Sequence, residues 1–167
     1  MDFIEAKNKF IQTWGALGSQ WGINKTMAQI HALLMVSPDP VSMEDVMEQL
    51  HISRGNASMN LRALMDWGIV YKEYKAGERR EFFTAEKDLD ELAIKIARER
   101  SKREIKPAIK VLNEVSSIKD QKTNEAKHFV EQTKKLHDFV LKAENMVEKA
   151  TEFKDNWLGK LVVKIMK

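Results

Sequence analysis

Four residues within one seven-residue stretch, Asn56, Ser58, Met59 and Arg62, carry an amide, a hydroxyl, a flexible thioether and a guanidinium. On a helix stepping 100° per residue, the side opposite the apolar positions is centred on Gly55, Met59, Arg62 and Asp66, with Asn56 and Ser58 at its flanks. Small, polar and flexible groups gathered this way can enter a groove and touch base edges. An arginine donates two parallel hydrogen bonds to guanine, and a methionine packs on a thymine methyl. Arg79 and Arg80 follow beyond a glycine-bearing turn, where a cation neutralises phosphate whatever the base sequence. Ser53, Arg54 and Asn60 on the same helix and Lys75 at the turn complete the candidate set of DNA contacts. For the helix alone, an ordinary amphipathic helix with a solvated face is the plainer reading, so its neighbours must decide.

Those neighbours carry start and stop signals. Ser42 is an N-cap with Asp45 three residues on, a capping-box pattern, and Val46 and Leu50 share the face of the short helix that follows. After His51-Ile52, Ser53 caps a second helix whose core side is Ala57, Leu61, Leu64 and Gly68. Two capped helices this short are not stable alone and must pack on each other and on a third element, which helix-turn-helix geometry supplies. Gly68 is the natural left-handed residue after the second helix. Ile69 to Tyr74 then reads as a strand, Lys75-Ala76-Gly77-Glu78 as a hairpin tip and Arg79 to Thr84 as the return strand. A basic hairpin directly after such a helix is a wing. The expected fold is mainly α with a small β-hairpin wing: a winged helix-turn-helix DNA-binding domain plus a helical dimerisation extension.

The run SMEDVMEQLHISRGNASMNLRALMDWGIVYKEYKAGERREFFTAEKD, preceded by WGINKTMAQIHALLMVSPDPV and followed by RERSKREIKP, resembles the GbsR-type branch of the MarR-like transcriptional regulators. The resemblance covers roughly residues 10 to 110 and is most specific in SRGNASMNLRAL and GERREFF. It implies a dimeric, sequence-specific regulator of double-stranded DNA, a repressor in the first instance. The helix 53–66 would lie in the major groove and the wing 70–83 on the backbone or in the minor groove. It also implies an N-terminal helix in the dimer interface and tails that help dimerise. Regulators of this branch have an aromatic-lined space between their domains, and some respond to choline-like cations. Trp14, Trp21, Trp67 and Tyr71 could supply cation-π faces for such an effector, although tryptophans on apolar faces are usually core.

Composition agrees with a helical protein of this kind. The chain has 167 residues, 43% hydrophobic and 32% charged, with only 7 Gly and 3 Pro, which favours long helices. It has no cysteine, which excludes disulfides and cysteine-ligated metal and fits a reducing cytoplasm. The start MDFIEAKNKF lacks the basic and apolar regions of a signal peptide, so secretion is not expected, and no apolar run approaches a membrane span. The net charge of +3 is unevenly spread. Residues 23–53 carry one basic and four acidic side chains, a balance of −3, whereas 54–106 carry 13 and 10, a balance of +3. Positive charge begins where the candidate DNA-facing helix begins.

Three regions are expected: an N-terminal dimerisation helix 1–22, the winged domain 23–97, and a connector with a C-terminal helical dimerisation region 98–167. The first carries Phe3, Phe10, Trp14, Leu17 and Trp21 at three-four spacing, and Phe3, Phe10 and Trp14 are assigned to the dimer interface. Met27, Ile30, Leu33 and Leu34 mark a support helix, in which His31 reads as a surface or core histidine rather than a ligand. After the wing, Leu89, Leu92, Ala93 and Ile96 form a stripe that gives way to a polar connector at 98–104, and Pro107 kinks or restarts the helix. From Ala126 a seam resumes through Phe129, Thr133, Leu136, Val140, Ala143, Val147 and Ala150 to Trp157 and Leu161, widened by Phe139, Met146 and Phe153. It needs a partner helix, from a second subunit or from earlier in the same chain. Phe129, Leu136, Val140 and Val147 are the assigned dimer residues. The lysine-bearing end, 157–167, could lie on an anionic membrane surface but reads first as the last turns of a dimer helix.

No nucleophile elbow, phosphate-binding glycine loop or metal-ligand cluster is present, and His128 and His137, nine residues apart, would point to opposite sides of one helix. An enzyme is the weakest reading; no catalytic residue, metal or cofactor is assigned. The alternative to a DNA-binding regulator is a helical protein-interaction module that keeps a winged-helix shape. Such a module would have no reason to gather Arg62, Arg79 and Arg80 on one surface.

Overall fold

The computed structural model describes residues 1–119 and 121–155. Trp157, Leu161 and the segment 157–167 lie outside the described residues, as does the side chain of Phe153. The chain forms two compact units, Met1–Lys95 and a second beginning at Ile96. The first contains α1 (Phe3–Gln20), α2 (Lys25–Val36), β1 (Val41–Ser42), α3 (Met43–Leu50), α4 (Arg54–Asp66), β2 (Val70–Glu73), β3 (Phe82–Ala85) and most of α5 (Leu89–Arg100). The strands form one antiparallel sheet in the order β1-β3-β2, with Val41 opposite Phe83 and Val70 opposite Ala85. Helix, short strand, two helices and a hairpin is the element order of a winged helix-turn-helix.

Local signals explain the boundaries. Ser42 and Asp45 form a reciprocal capping box on α3, and the Ser53 hydroxyl accepts from the Asn56 amide at the start of α4. His51 ends α3 in the left-handed region at φ 52°, which makes the turn between α3 and α4 tight. Gly68, at φ 70°, ends α4. The two-residue strand β1 was not expected from the sequence. It exists because the backbone just before the Ser42 cap pairs with the return strand of the hairpin.

In the second unit the helix of α5 passes through a π-helical turn, Ser101–Ile105, into α6 (Lys106–Ser116), and α6 packs against α7 (Asn124–Asp155). Pro107 sits in the first turn of α6. Lacking an N–H and crowding the carbonyl four residues back, it cannot continue an α-helical ladder. The preceding turn is wider, the Lys106 amide reaching back five residues to the Ser101 carbonyl. The stretch 98–104, polar at every position, is nevertheless not solvated all round. Ser101 is buried, and its hydroxyl lies 2.6 and 2.5 Å from the two carboxylate oxygens of Glu144 on α7. The stripe on α5 is also narrower than expected: Leu92 is buried, while Leu89 and Ala93 are exposed.

The core of the first unit is α2, where every residue from Met27 to Leu34 is buried. Helix α1 reaches it through Gly15 and Gly18: a Cβ on Gly18 would stand 2.5 Å from the Cβ of Ala28. His31, inside this core, has an Nε2 with no hydrogen-bond partner among the described residues. Burial, helped by the nearby Lys87 ammonium, pushes its pKa down from 6.5 to about 4. The neutral form folds and the unfolded chain takes up the proton first. The stabilisation is complete above pH 6.5 and is lost as pH falls from 6.5 toward 4. Urea unfolding of the wild type at pH 7 and pH 4.5 should show a loss on the order of 2 kcal/mol from this residue. His31→Leu should lack that share of the pH dependence, and equal pH dependence in both proteins would show that His31 does not titrate on unfolding.

Candidate nucleic-acid interface

Helix α4 is held by Ala57, Leu61 and Leu64, each at most 1% exposed. Its opposite side presents Met59 and Arg62 with Gly55 and Asp66, and Ser58 and Asn56 stand half-buried at the edges. Met59 is 63% exposed, a large apolar side chain left in water in the middle of a helix that otherwise buries its apolar groups. Arg62 makes no hydrogen bond or ion pair with any described residue. Asn60 does not join this side. It is 3% exposed, and its amide donates to the Asn56 carbonyl at 2.9 Å and to Asn56 Oδ1 at 2.7 Å. At 100° per residue it lies about 40° beyond Leu64, at the edge of the core side, where it needs these local acceptors. It thereby departs from its expected place among the DNA contacts. Ser53 is occupied as the N-cap, and Arg54 donates to Glu44 on α3 at 2.6 Å.

The hairpin places its charges at an eight-residue tip between β2 and β3, where Gly77 at φ 80° and the bond from the Glu78 amide to the Lys75 carbonyl make the turn. Lys75 stands 4.2 Å from the centroid of the Phe82 ring and Arg80 5.3 Å from it. Arg80 also holds Glu78 through two bonds of 3.1 and 3.2 Å, which lowers the Glu78 pKa and raises its own. Arg79 is exposed and makes no hydrogen bond or ion pair with any described residue. Helix and hairpin meet in a cleft of about 130 Å³ whose walls include Ser58 and Arg62 from α4 and Lys72 and Glu81 from the hairpin. Lys72 and Glu81 form an ion pair across the strands, and Glu81 raises the lysine pKa. Neither residue was singled out in the sequence. Two opposite charges flanking the tip were the available signal, but only the strand register brings them together.

A scan against models of protein families finds no match, and a search of curated proteins finds none. Among solved structures, one described as a transcriptional regulator superposes with a TM-score of 0.58 at 18% identity, covering 86% of this chain and 99% of the other. The two chains share a fold. At this identity the likeness speaks for the architecture alone, here a mainly helical chain with a small three-stranded antiparallel sheet.

The residues expected to dimerise divide into two kinds. On α1 and its C-cap, Phe3, Phe10 and Trp21 are exposed and Trp14 is partly so; the Phe10, Trp14 and Trp21 rings form a ridge with centroids 5.6 Å (Phe10 to Trp14, tilted) and 6.4 Å (Trp14 to Trp21, edge-on) apart. On α7, Phe129 and Leu136 are exposed along with Phe139 and Met146, whereas Val140 and Val147 are half-buried beside buried Val130 and Glu144. The expected single seam is thus two adjacent faces, one covered by the chain's own helical hairpin and one bare. Of the aromatic residues proposed to hold a cation, Trp14 and Trp21 belong to the α1 ridge. Tyr71 already has the Lys95 ammonium 5.2 Å from its ring centroid and donates its hydroxyl to Glu86 at 2.7 Å. Lys95, then Tyr71, hold the Glu86 carboxyl down to a pKa of about 2.

The different placements of Asn60 and Arg62 have a measurable consequence. Asn60→Ala should lower unfolding free energy by about 1 to 3 kcal/mol through the lost buried bonds, while Arg62→Ala should stay within about 0.5 kcal/mol of the wild type. Denaturant midpoints measure both; equal losses would mean that Arg62 has a structural partner.

Proposed function

We propose that this protein is a homodimeric, sequence-specific regulator of transcription that binds double-stranded DNA in the cytoplasm, with α4 in the major groove and the hairpin along the backbone or in the minor groove. The observation that carries the reading is the shared cleft. Ser58 and Arg62 of α4 and Lys72 and Glu81 of the hairpin line one cleft; outside it Met59 is exposed, and Arg62 and Arg79 make no hydrogen bond or ion pair with any described residue. That is what base contact from a helix and phosphate contact from a wing require. Resemblance to the GbsR-type branch, and a repressor role with it, belongs to the same proposal, as does an inverted-repeat operator with half-sites about 10 base pairs apart or a multiple of that. One observation favours a protein-interaction module instead: Arg54, Lys72 and Arg80 are each already paired with a carboxylate.

Selection from a random duplex pool, followed by affinities at several salt concentrations, separates the readings. Arg62→Ala should cost about 1 to 3 kcal/mol on the selected site and relax discrimination at one position of each half-site. Arg79→Ala should weaken operator and scrambled duplex alike and reduce the salt slope by about one. Arg80→Ala should do the same to a smaller degree, because its guanidinium must first leave Glu78. Wild-type binding of both duplexes by both wing variants would bring the interaction module forward.

For the dimer, the bare face of α7 supplies the argument: Phe129, Leu136, Phe139 and Met146 are apolar, exposed and spaced on one side of a long helix. Phe139, 70% exposed, contributes little to the fold of its own subunit. Phe139→Glu should leave helicity intact and shift the mass seen by light scattering from two subunits toward one. A wild-type mass of one subunit at micromolar concentration would defeat the dimer.

A further inference from the structure

Asn56 and Asn60 stand one turn apart on α4, and the bonds between them fix which way each amide is turned. Asn60 Nδ2 lies 2.9 Å from the Asn56 backbone carbonyl and 2.7 Å from the Asn56 side-chain oxygen. A backbone carbonyl only accepts, so the Asn60 atom facing it must be the nitrogen, which has a second hydrogen left to give. The Asn56 atom that receives this hydrogen must be Oδ1, because an amide NH2 only donates. Flipping either amide would set two acceptors or two donors against each other. Asn60 is 3% exposed, so losing these acceptors would leave a buried amide unsatisfied, and the arrangement is held from within the core edge. What Asn56 has left is its own NH2 group. Asn56 Nδ2 makes no hydrogen bond with any described residue and, on a half-buried side chain, is not enclosed. It sits in the first turn of α4, three residues after the Ser53 cap.

We infer that Asn60 is a positioning residue that makes Asn56 a reader of guanine. The inference rests on the proposed docking of α4 in the major groove, where the first residues of the second helix meet base edges. Guanine presents two acceptors there, N7 and O6, and no donor. Adenine presents N7 beside an N6 amino group, which an asparagine matches with Nδ2 on the one and Oδ1 on the other. With Oδ1 drawn to Asn60, the adenine amino group loses that acceptor, while guanine asks only for the donors that Asn56 still has. Thymine offers the single acceptor O4, and cytosine offers a donor alone. Arg62 lies nearly two turns further along α4, so a guanine that it reads is a different base.

The full chain is tested in two ways on an operator that the wild type selects from a random duplex pool. First, each guanine of one half-site is replaced in turn by 7-deazaguanine, which lacks the N7 acceptor. One replacement should weaken wild-type binding about threefold to tenfold, the worth of one hydrogen bond. That replacement should not weaken Asn56→Ala further, and Arg62→Ala should remain sensitive to it. Second, selection is repeated with Asn60→Leu, whose side chain fills the core edge without holding Oδ1. The preferred base at that position should move from guanine to adenine, whereas a merely structural Asn60 would weaken all sites alike and leave the base unchanged. Circular dichroism checks the fold, and if Asn60→Leu does not fold the first measurement decides alone. A selected operator in which no guanine is coupled to Asn56, or an unchanged base with folded Asn60→Leu, overturns the inference and leaves the regulator reading standing. Failure of the wild type to bind any duplex defeats both.

Discussion

The uninterrupted burial of α2 is the constraint on which the first unit depends. From Met27 to Leu34 no side chain faces solvent, so each polar group in that stretch has to be satisfied or kept neutral. Gln29 donates to the Gln12 side chain of α1 at 2.8 Å, which fixes how the two helices lie. His31 stays uncharged. At the C-terminal end of α2 the Lys87 ammonium donates to the carbonyls of Leu34, Met35 and Ser37 at 2.6, 2.7 and 2.9 Å, a cation on the negative end of the helix. Since Lys87 follows β3 closely in the chain, the same contact anchors the end of the hairpin.

From that core the candidate interface takes its geometry. Helix α4 rests on α2 through Ala57, Leu61 and Leu64, and β3 rests on it with Phe83 fully buried. Two elements seated on one rigid helix keep their outward sides in a constant relation, and the cleft between Arg62 and Lys72 is the gap that remains. The Tyr71, Glu86 and Lys95 cluster adds a second brace, linking β2, the end of β3 and α5 through a hydroxyl, a carboxylate and an ammonium.

What could be read in the sequence was what depends on near neighbours. The caps at Ser42 and Ser53, the left-handed Gly68 and the core side of α4 follow from spacings of three or four residues, and the structure has them all. Three features needed distant information. Strand β1 is two residues long and exists only through pairing with Phe82 and Phe83. On α1 the aromatic ridge carried the hydrophobic signal, yet the packed side is Ile11, Gly15 and Gly18, where close approach comes from missing side chains that no apolarity scale registers. On α7 two apolar faces overlap at their edges, and periodicity alone merged them. The π-helical turn had a local cause in Pro107, but a proline permits a kink or a restart as readily, and the buried Ser101–Glu144 contact decides the outcome.

The ion pairs around α4 and the hairpin bear on how such a surface would discriminate. Exposed pairs of the kind Arg54–Glu44 and Arg80–Glu78 are screened by solvent and weak, so a phosphate can compete for either cation. Each exchange nevertheless leaves a carboxylate beside a polyanion. A paired arginine therefore adds less to binding that ignores sequence than a free one does. In the proposed DNA complex Arg62 and Arg79 would carry no such offset, and Met59 would make contacts that salt does not screen. The internal carboxylates would thus subtract mostly from the general attraction and little from base contact at α4. A surface of modest net charge can in this way favour a chosen sequence over bulk duplex by weakening its grip on the latter.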